Sequence, residues 1–311
     1  MRYTKQDAWM LSSFTLGTVQ LGMQYGLGGK RPSEEEAYAV LDNAAEIGIN
    51  CLDTANNYGD SESIIGQWLS REKQKGNPLP RIITKIGQFS RNSYGSIRDD
   101  IRRQAETCIR TLGVDRLDGL MIHGFPEYEQ NQEVIGRTFE ELKTERIIEK
   151  SGISAYSHHD YRMIAQSGFD MVQIPLNIFD WRQIESGGIE ALADSEMILF
   201  VRSVFLQGLV FHTEEDLDPR MSFCFPYLRE FQKLCKEFEM SPAVLALSFV
   251  MSISGVSSIV IGCDNSEQVR QNGQLFDQAI LLDSTQLEMI RRQFSGIDPR
   301  VINPGLWYNH T

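Results

Sequence analysis

Cysteine and positive charge are both scarce in this chain of 311 residues. The five cysteines are scattered and form no C-x-x-C pair, so we expect free thiols and a reducing compartment. Lysine and arginine total 30 against 42 aspartates and glutamates, which gives a formal net charge of −12. Such a surface repels a phosphate backbone or an anionic membrane, which argues against nucleic-acid and membrane partners.

Long apolar runs are missing as well. No run approaches the ~20 residues that span a bilayer, and the first residues lack the apolar core of a secretion signal. The five histidines lack the spacing of metal ligands, so no metal site is predicted. With 41% hydrophobic and 23% charged residues, we expect a globular cytoplasmic protein with a large core.

Short apolar runs alternate with helical patterns along the whole chain, which indicates repeated βα units. No linker or composition shift divides the chain, and no G-x-G-x-x-G follows the first run, which argues against an open dinucleotide-binding sheet. The pattern therefore favours a single (β/α)₈ barrel domain spanning residues 1–311. The eight predicted strands are Phe14–Val19, Cys51–Thr54, Arg81–Ile86, Gly119–His123, Lys150–Ser154, Met171–Pro175, Ile198–Ser203 and Ser258–Ile261.

Helix signals lie between these strands. Ser33 and Glu36 form an S-x-x-E capping box ahead of an apolar stripe with helical spacing. Ser241 precedes a proline that suits the first turn of a helix. Further helices are predicted over residues 97–112, 227–239, 241–250, 265–272 and 284–294.

Four ionisable residues stand at or just after the ends of predicted strands. Asp53 and Tyr58 lie in C-L-D-T-A-N-N-Y-G-D-S-E, Lys85 ends R-I-I-T-K, and His123 ends L-D-G-L-M-I-H. In a (β/α)₈ barrel, the carboxyl ends of the strands are where catalytic side chains are placed. Each residue alone is more often a packing residue or a surface ion pair, so only the joint pattern indicates a site.

Together these strings resemble the aldo-keto reductase superfamily, whose pattern is D-x-x-x-x-Y-G-x-S-E, then Lys, then His. The resemblance runs from about residue 16 to about residue 272. It implies an oxidoreductase that reduces an aldehyde or ketone, or oxidises the alcohol, with a nicotinamide cofactor. Tyr58 would be the general acid, and His123 would orient the carbonyl oxygen. A nearby ammonium lowers the pKa of a phenol, so Lys85, held by Asp53, would tune Tyr58.

The resemblance also implies a dinucleotide, NADP or NAD, lying across the barrel mouth. Gly17 and Thr18 would lie at its reactive end, Ser154 and Gln173 would bind the carboxamide, and the backbone of residues 204–209 would hold the pyrophosphate. The implied cofactor ligands are Gly17, Thr18, Ser154, Gln173, Arg202, Ser203, Val204, Phe205, Leu206, Gly208, Gly262, Asp264, Gln268 and Asn272.

Three positions depart from the family pattern. Ala155 replaces an Asn that contacts the carboxamide. Arg202 replaces the aromatic ring that stacks on nicotinamide; its planar guanidinium can stack there or turn toward a substrate carboxylate or phosphate. Asp264 stands where a cation often clamps the 2′-phosphate of NADP; it suits the ribose hydroxyls of NAD, although Arg270 can restore phosphate binding if it folds back. The cofactor preference therefore stays open.

Three segments should line the substrate side of the mouth: residues 124–133, 210–226 and the tail 299–311, which we expect over the active site. Their aromatic residues are Phe125, Tyr128, Phe211, Phe223, Phe225, Trp307 and Tyr308. The expected partner is a small-molecule carbonyl compound. Two alternatives remain at this point: a cofactor-binding regulatory or redox-sensing subunit with slow turnover, and an internal-redox or isomerising enzyme on the same barrel.

Overall fold

The computed structural model describes residues 1–6, 8–25, 31–89 and 94–307. Eight parallel strands close into a barrel with helices around it, preceded by an antiparallel hairpin. The hairpin strands are β1 Tyr3–Gln6 and β2 Trp9–Ser12. The barrel strands are β3 Phe14–Gly17, β4 Cys51–Asp53, β5 Arg81–Ile86, β6 Leu117–Ile122, β7 Ile148–Ser154, β8 Met171–Pro175, β9 Ile198–Arg202 and β10 Val256–Gly262. The predicted single (β/α)₈ barrel and its eight strands are confirmed.

Helices follow the barrel strands, and some connections carry two. They are α1 Val19–Gly22, α2 Glu34–Glu46, α3 Ser61–Lys75, α4 Tyr94–Leu112, α5 Phe125–Gln130, α6 Gln132–Thr144, α7 Tyr161–Ala165, α8 Arg182–Glu185, α9 Gly188–Asp194, α10 Phe225–Glu237, α11 Pro242–Met251, α12 Ser266–Gln278 and α13 Ser284–Phe294. Three 3₁₀ segments lie at Leu206–Phe211, Pro219–Cys224 and Pro304–Leu306. Within the described ranges, no helix is long and apolar enough to cross a membrane.

Helix starts follow the local signals in the sequence. The Ser33 hydroxyl accepts a hydrogen bond from the Glu36 amide at 3.3 Å, and the Ser33 amide donates to the Glu36 carboxylate at 2.7 Å. This reciprocal pair is the predicted capping box of α2. Asn265 caps α12 by accepting from the Gln268 amide at 2.9 Å. The helix that begins there continues to Gln278, past the predicted end at residue 272.

The hairpin before the barrel was missed by the sequence analysis. Trp9, on β2, is fully buried in the barrel interior against Ile83 and Met121. Its indole N–H donates to Glu149 Oε1 at 2.7 Å, and the Arg81 guanidinium lies 4.4 Å from its ring centroid. Arg81 begins β5 and Glu149 lies near the start of β7, so Trp9 closes the amino-terminal end of the barrel. The opposite, carboxyl-terminal end is left to carry the site.

Candidate active site

A buried ion pair lies at the carboxyl-terminal end of the barrel. Asp53 ends β4, and Lys85 is the fifth residue of β5. Lys85 Nζ lies 2.7 Å from Asp53 Oδ1 and 2.8 Å from Oδ2, and it also donates to the Thr54 carbonyl at 3.0 Å. Lys85 has no exposed surface, and Asp53 is 4% exposed. A buried pair of this kind keeps its charges only because each satisfies the other.

Tyr58 and His123 lie above this pair. Lys85 Nζ is 5.1 Å from the centroid of the Tyr58 ring. The Tyr58 and His123 rings meet edge to face, with centroids 5.7 Å apart and an interplanar angle of 79°. Both side chains are half-buried. The four residues singled out in the sequence are therefore brought together at the mouth of the barrel.

The loop that carries Tyr58 is held by close backbone contacts. The Asn56 amide donates to the Lys85 carbonyl and the Tyr58 amide to the Ala55 carbonyl, both at 3.0 Å. Gly59 has φ +56, and a Cβ there would lie 2.4 Å from the Gly22 carbonyl oxygen. A Cβ on Gly22 would lie 1.8 Å from the Tyr58 carbonyl oxygen. Only glycine permits this approach of α1 to the loop.

Burial and charge act in opposite directions on the central pair of titrating groups. Burial raises the pKa of Tyr58 above its ordinary value, and the positive charge of Lys85 offsets only part of this rise. The expected lowering by Lys85 is thus present but smaller than the desolvation of the phenol. For Lys85, burial disfavours the ammonium, yet Asp53 and Tyr58 together outweigh it and hold the pKa above the usual range.

His123 is neutral in the folded protein near neutral pH. Burial, reinforced by the charge of Lys85, lowers its pKa to about 4. A neutral imidazole carries one N–H donor and one acceptor. It is therefore suited to donate a hydrogen bond to an oxygen without delivering a full charge.

A cavity of about 530 Å³ opens beside Tyr58 and Asp53 across the barrel mouth. Ser154, one of the predicted cofactor ligands, is buried at the end of β7 and does not line it. The other predicted ligands all line it: Gly17, Thr18, Gln173, Arg202, Ser203, Val204, Phe205, Leu206, Gly208, Gly262, Asp264, Gln268 and Asn272.

The Thr18 side chain is committed to neighbouring loops. Its hydroxyl donates to the Asp53 carbonyl at 2.9 Å and lies 2.8 Å from the Ser61 hydroxyl, which also lies 3.0 Å from the Thr54 hydroxyl. These bonds tie the ends of β3 and β4 to the start of α3. Thr18 therefore lines the cavity, but its hydroxyl is already hydrogen-bonded to neighbouring loops.

Arg202 lies at the end of β9 and turns toward the segment after β7. Its Nη2 donates to the Ala155 carbonyl at 3.1 Å, and its Cζ lies 4.7 Å from the centroid of the Tyr156 ring. Its positive charge also lowers the pKa of Tyr58 and of His123, as the charge of Lys85 does more strongly; burial, the largest influence, raises the pKa of Tyr58 and lowers that of His123. Arg202 is the single cation among the described residues that line the cavity.

The far end of the cavity is negatively charged. The Asp264 amide donates to Gln268 Oε1 at 2.8 Å, and Gln268 Nε2 lies 3.4 Å from Asp264 Oδ2. Arg270, considered above as a phosphate ligand, lies 3.8 Å from Glu267 in an exposed ion pair and does not line the cavity. Asn272 donates to Cys263 Sγ at 3.3 Å.

Several lining residues were not singled out in the sequence, among them Gln20 and Tyr25. The Gln20 amide packs over Gly262, where a Cβ would lie 2.2 Å from its nitrogen. Its Oε1 is buried without a hydrogen-bond partner among the described residues. Position just after the first barrel strand is the only signal that marks Gln20, and that signal is weak. In the described ranges, no three His, Cys, Asp or Glu side chains are grouped so that they could bind a metal ion.

The predicted substrate-side aromatics separate into two groups. Phe211 lines the cavity and is half exposed, whereas Phe125 and Tyr128, on the short helix α5, are buried in packing. Phe223 packs under the Arg300 guanidinium at 4.6 Å. In the tail, Trp307 is buried and donates to the Arg300 carbonyl at 3.0 Å, and residues 299–307 do not line the cavity. Tyr308 and the rest of the predicted tail, 309–311, lie outside the described residues.

Several known oxidoreductases are similar to this chain. The NADH-specific methylglyoxal reductase of Escherichia coli (strain K12) is 28% identical over 84% of this chain and 89% of its own length. The D-threo-aldose 1-dehydrogenase of a Pseudomonas species is 25% identical over 78% of this chain and 83% of its own. The aldo-keto reductase AKR11C1 of Bacillus halodurans superposes with a TM-score of 0.76, over 97% of this chain and all of its own, at 21% identity.

The family model described as the aldo/keto reductase family matches residues 13–293, nearly the whole barrel. This match includes all eight barrel strands and the residues gathered at their carboxyl ends. The chain therefore belongs to the aldo/keto reductase family of oxidoreductases.

Proposed function

We propose that this protein reduces an aldehyde or ketone, or oxidises the corresponding alcohol, by hydride transfer with a nicotinamide cofactor, and that Tyr58 is its general acid. The observation that carries the proposal is the fully buried Asp53–Lys85 pair beneath the Tyr58 ring. A buried ammonium next to a phenol serves no packing purpose, but it stabilises a phenolate as it forms.

Each of the four residues has a distinct part in the proton transfer. The raised pKa keeps the Tyr58 phenol protonated at neutral pH, so it is loaded as an acid. As the carbonyl oxygen takes the proton, Lys85 stabilises the phenolate left behind, and Asp53 holds Lys85 in place. Neutral His123 donates a hydrogen bond that orients the same oxygen. General acid catalysis of this kind contributes roughly 10²–10⁴ in rate.

The cavity fits an extended dinucleotide, which supplies or accepts the hydride when bound. Gly17 and Gly262 line its wall, and residues 203–208 turn sharply, with positive φ at Ser203, Leu206, Gln207 and Gly208. The amides of Val204 and Phe205 donate to no acceptor in the described part of the chain. Free backbone amides in a tight turn suit a pyrophosphate, and Gln173 is placed for the carboxamide.

The adenosine end favours a cofactor without a 2′-phosphate. Asp264 lines the cavity at the position that the family resemblance gives to a cation for that phosphate, and Arg270 is engaged with Glu267 outside the cavity. A carboxylate near a phosphate costs on the order of 1–4 kcal/mol at a separation of about 4 Å. The relative from Escherichia coli is named as NADH-specific, in keeping with this proposal. We therefore propose that NADH is accepted at least as well as NADPH.

The test is a turnover assay with NADH and NADPH over a broad panel of aldehydes and ketones, with products identified by mass spectrometry. We expect reduction of some carbonyl compounds, and a loss of at least ~10²-fold in Tyr58→Phe, which lacks the donated proton. Cofactor binding, measured by fluorescence titration, should survive in that variant. Near-normal turnover by Tyr58→Phe would contradict the assignment of Tyr58 as the general acid.

A further inference from the structure

We propose that the physiological substrate carries an anionic group, a carboxylate or a phosphate, close to its carbonyl, and that Arg202 binds this group. The inference rests on the proposed function and adds to it the chemical class of the substrate. Three observations support it: Arg202 lies at the cavity wall, it forms no ion pair in the described residues, and the Tyr156 ring holds its guanidinium in place.

Arg202 is a half-buried cation without an anionic partner. Its guanidinium forms no ion pair with a carboxylate in residues 1–6, 8–25, 31–89 or 94–307. Within the described residues, its hydrogen bonds are to neutral oxygens, the Ala155 carbonyl at 3.1 Å and the Ser203 hydroxyl at 3.5 Å. A charge drawn partly out of water without a counter-ion is unfavourable, and a bound anion offsets that cost. Three of the five guanidinium N–H donors are left for a ligand.

The guanidinium is held in a fixed orientation. One face lies on the Tyr156 ring, and the Tyr156 amide donates to His159 Nδ1 at 2.9 Å. His159 is itself stacked on Phe125, with ring centroids 4.0 Å apart. Arg202 thus rests on a wall of three rings that runs back to the segment following β6. An anion must approach along the free edge of the guanidinium, where two parallel N–H bonds match a carboxylate or phosphate.

The Arg202 guanidinium faces the reacting position. Arg202 and Tyr58 line the same cavity, and the charge of Arg202 acts on both Tyr58 and His123. An anion bound by Arg202 therefore lies beside a carbonyl held between those two side chains. The other charged lining residues, Asp53 and Asp264, are negative, so an anionic group has one favourable place in the described cavity.

The experiment compares chemically matched substrate pairs that differ in charge. Glyoxylate and its methyl ester, and 4-carboxybenzaldehyde and its methyl ester, test a carboxylate at two distances. Glyceraldehyde 3-phosphate and glyceraldehyde test a phosphate. We expect kcat/KM to favour the charged member of at least one pair by tenfold or more, about 1.4 kcal/mol. The carboxylate and phosphate arms identify which anion is preferred.

Arg202→Met should abolish that preference, mainly through the KM of the charged member, and Arg202→Lys should keep part of it. Arg229→Met is the matched control, because it removes a guanidinium from an exposed pair with Glu214. The control should keep the preference of the unaltered protein. Dissociation constants for NAD and NADH are measured in the same variants without substrate.

Two results would overturn the inference. Equal kcat/KM for charged and neutral members in the unaltered protein would do so while leaving the proposed carbonyl reduction standing. Equal losses on both members in Arg202→Met, together with weaker binding of NAD and NADH, would assign Arg202 to the cofactor instead. Failure of every carbonyl compound to turn over would contradict the proposed function itself, and is thereby distinguished from either result.

Discussion

Gln173 donates a hydrogen bond from Nε2 to Asp53 Oδ1 at 2.7 Å, joining the carboxylate that already pairs with Lys85. Gln173 is 2% exposed, so this bond lies out of water. The residue that the family resemblance assigned to the cofactor is therefore also a support of the buried ion pair. If Gln173 binds the carboxamide as proposed, that binding is coupled to the alignment of Lys85 through one side chain.

We predict that Gln173→Met lowers both kcat and thermal stability, because a buried carboxylate oxygen loses one of its two donors and keeps only Lys85, at a cost of roughly 1–3 kcal/mol. Gln173→Glu should be worse near neutral pH, since two carboxylates then face each other. As the pH falls, the introduced carboxyl can protonate and donate to Asp53, so Gln173→Glu should recover relative to Gln173→Met. Melting temperatures of both variants against pH measure this, and parallel curves would contradict the coupling.

Asp264→Arg should strengthen binding of NADP much more than that of NAD, because only NADP carries the 2′-phosphate. A guanidinium–phosphate contact should give tenfold or more, about 1.4 kcal/mol, and the gain should shrink with added salt. Glu267→Arg makes the same change in charge outside the cavity and should leave the preference unaltered. If the unaltered protein already bound NADPH a hundredfold more tightly than NADH, our description of the adenosine end would be wrong.

Stability should fall as the pH decreases from about 6.5 toward 4. The pKa of His123 and that of His159 are both lowered from 6.5 to about 4, chiefly by burial. Between these values the unfolded chain binds protons that the folded protein does not, so the free energy of unfolding decreases with falling pH. His159→Gln keeps an acceptor for the Tyr156 amide but removes one titration, so its melting temperature should depend less on pH from about 6.5 to 5. An unchanged slope would show that His159 is not held neutral.

Trp9→Ala should destabilise the barrel without altering the KM for a carbonyl substrate. Removal of a buried Trp leaves a large void and costs about 3–5 kcal/mol. Trp9→Phe keeps most of the volume, loses the bond to Glu149 and should cost less. Thermal denaturation and steady-state kinetics of the two variants provide the comparison. A changed KM would indicate that the closed end of the barrel communicates with its mouth.

Much of the fold follows from local sequence signals. Most barrel strands are short, largely apolar runs buried on both faces, whereas β7 is more polar, and helices such as α2 and α13 begin at capping boxes. The hairpin at the barrel floor has no such signal, because β1 is a largely polar run and the one large anchor of the hairpin, Trp9, is recognised only once the barrel encloses it. Burial that depends on contacts between distant parts of the chain cannot be predicted from the local spacing of apolar residues.

The candidate site, like the fold, was predictable from the sequence only in part. Asp53, Lys85 and His123 are marked by their places at strand ends, and the structure brings them together with Tyr58. The commitments of individual side chains were not predictable from spacing. The bond from Gln173 to Asp53 and the turn of Arg202 onto Tyr156 each join residues 46 or more positions apart, and they depend on how neighbouring loops pack. Ser154 also lies at the end of a strand but does not line the cavity, so a strand-end position alone does not predict a cavity-lining residue.

The backbone contact between Gly22 and the Tyr58 loop restricts what evolution or a protein engineer can change near the acid. In a library randomised at residues 22 and 59, active clones should retain glycine at both, since a Cβ at either would overlap a carbonyl oxygen. We expect variation in substrate range to arise instead among the cavity-lining residues, such as Arg202. Positions 22 and 59 near the acid therefore cannot be substituted without loss of activity, whereas cavity-lining positions such as 202 can vary.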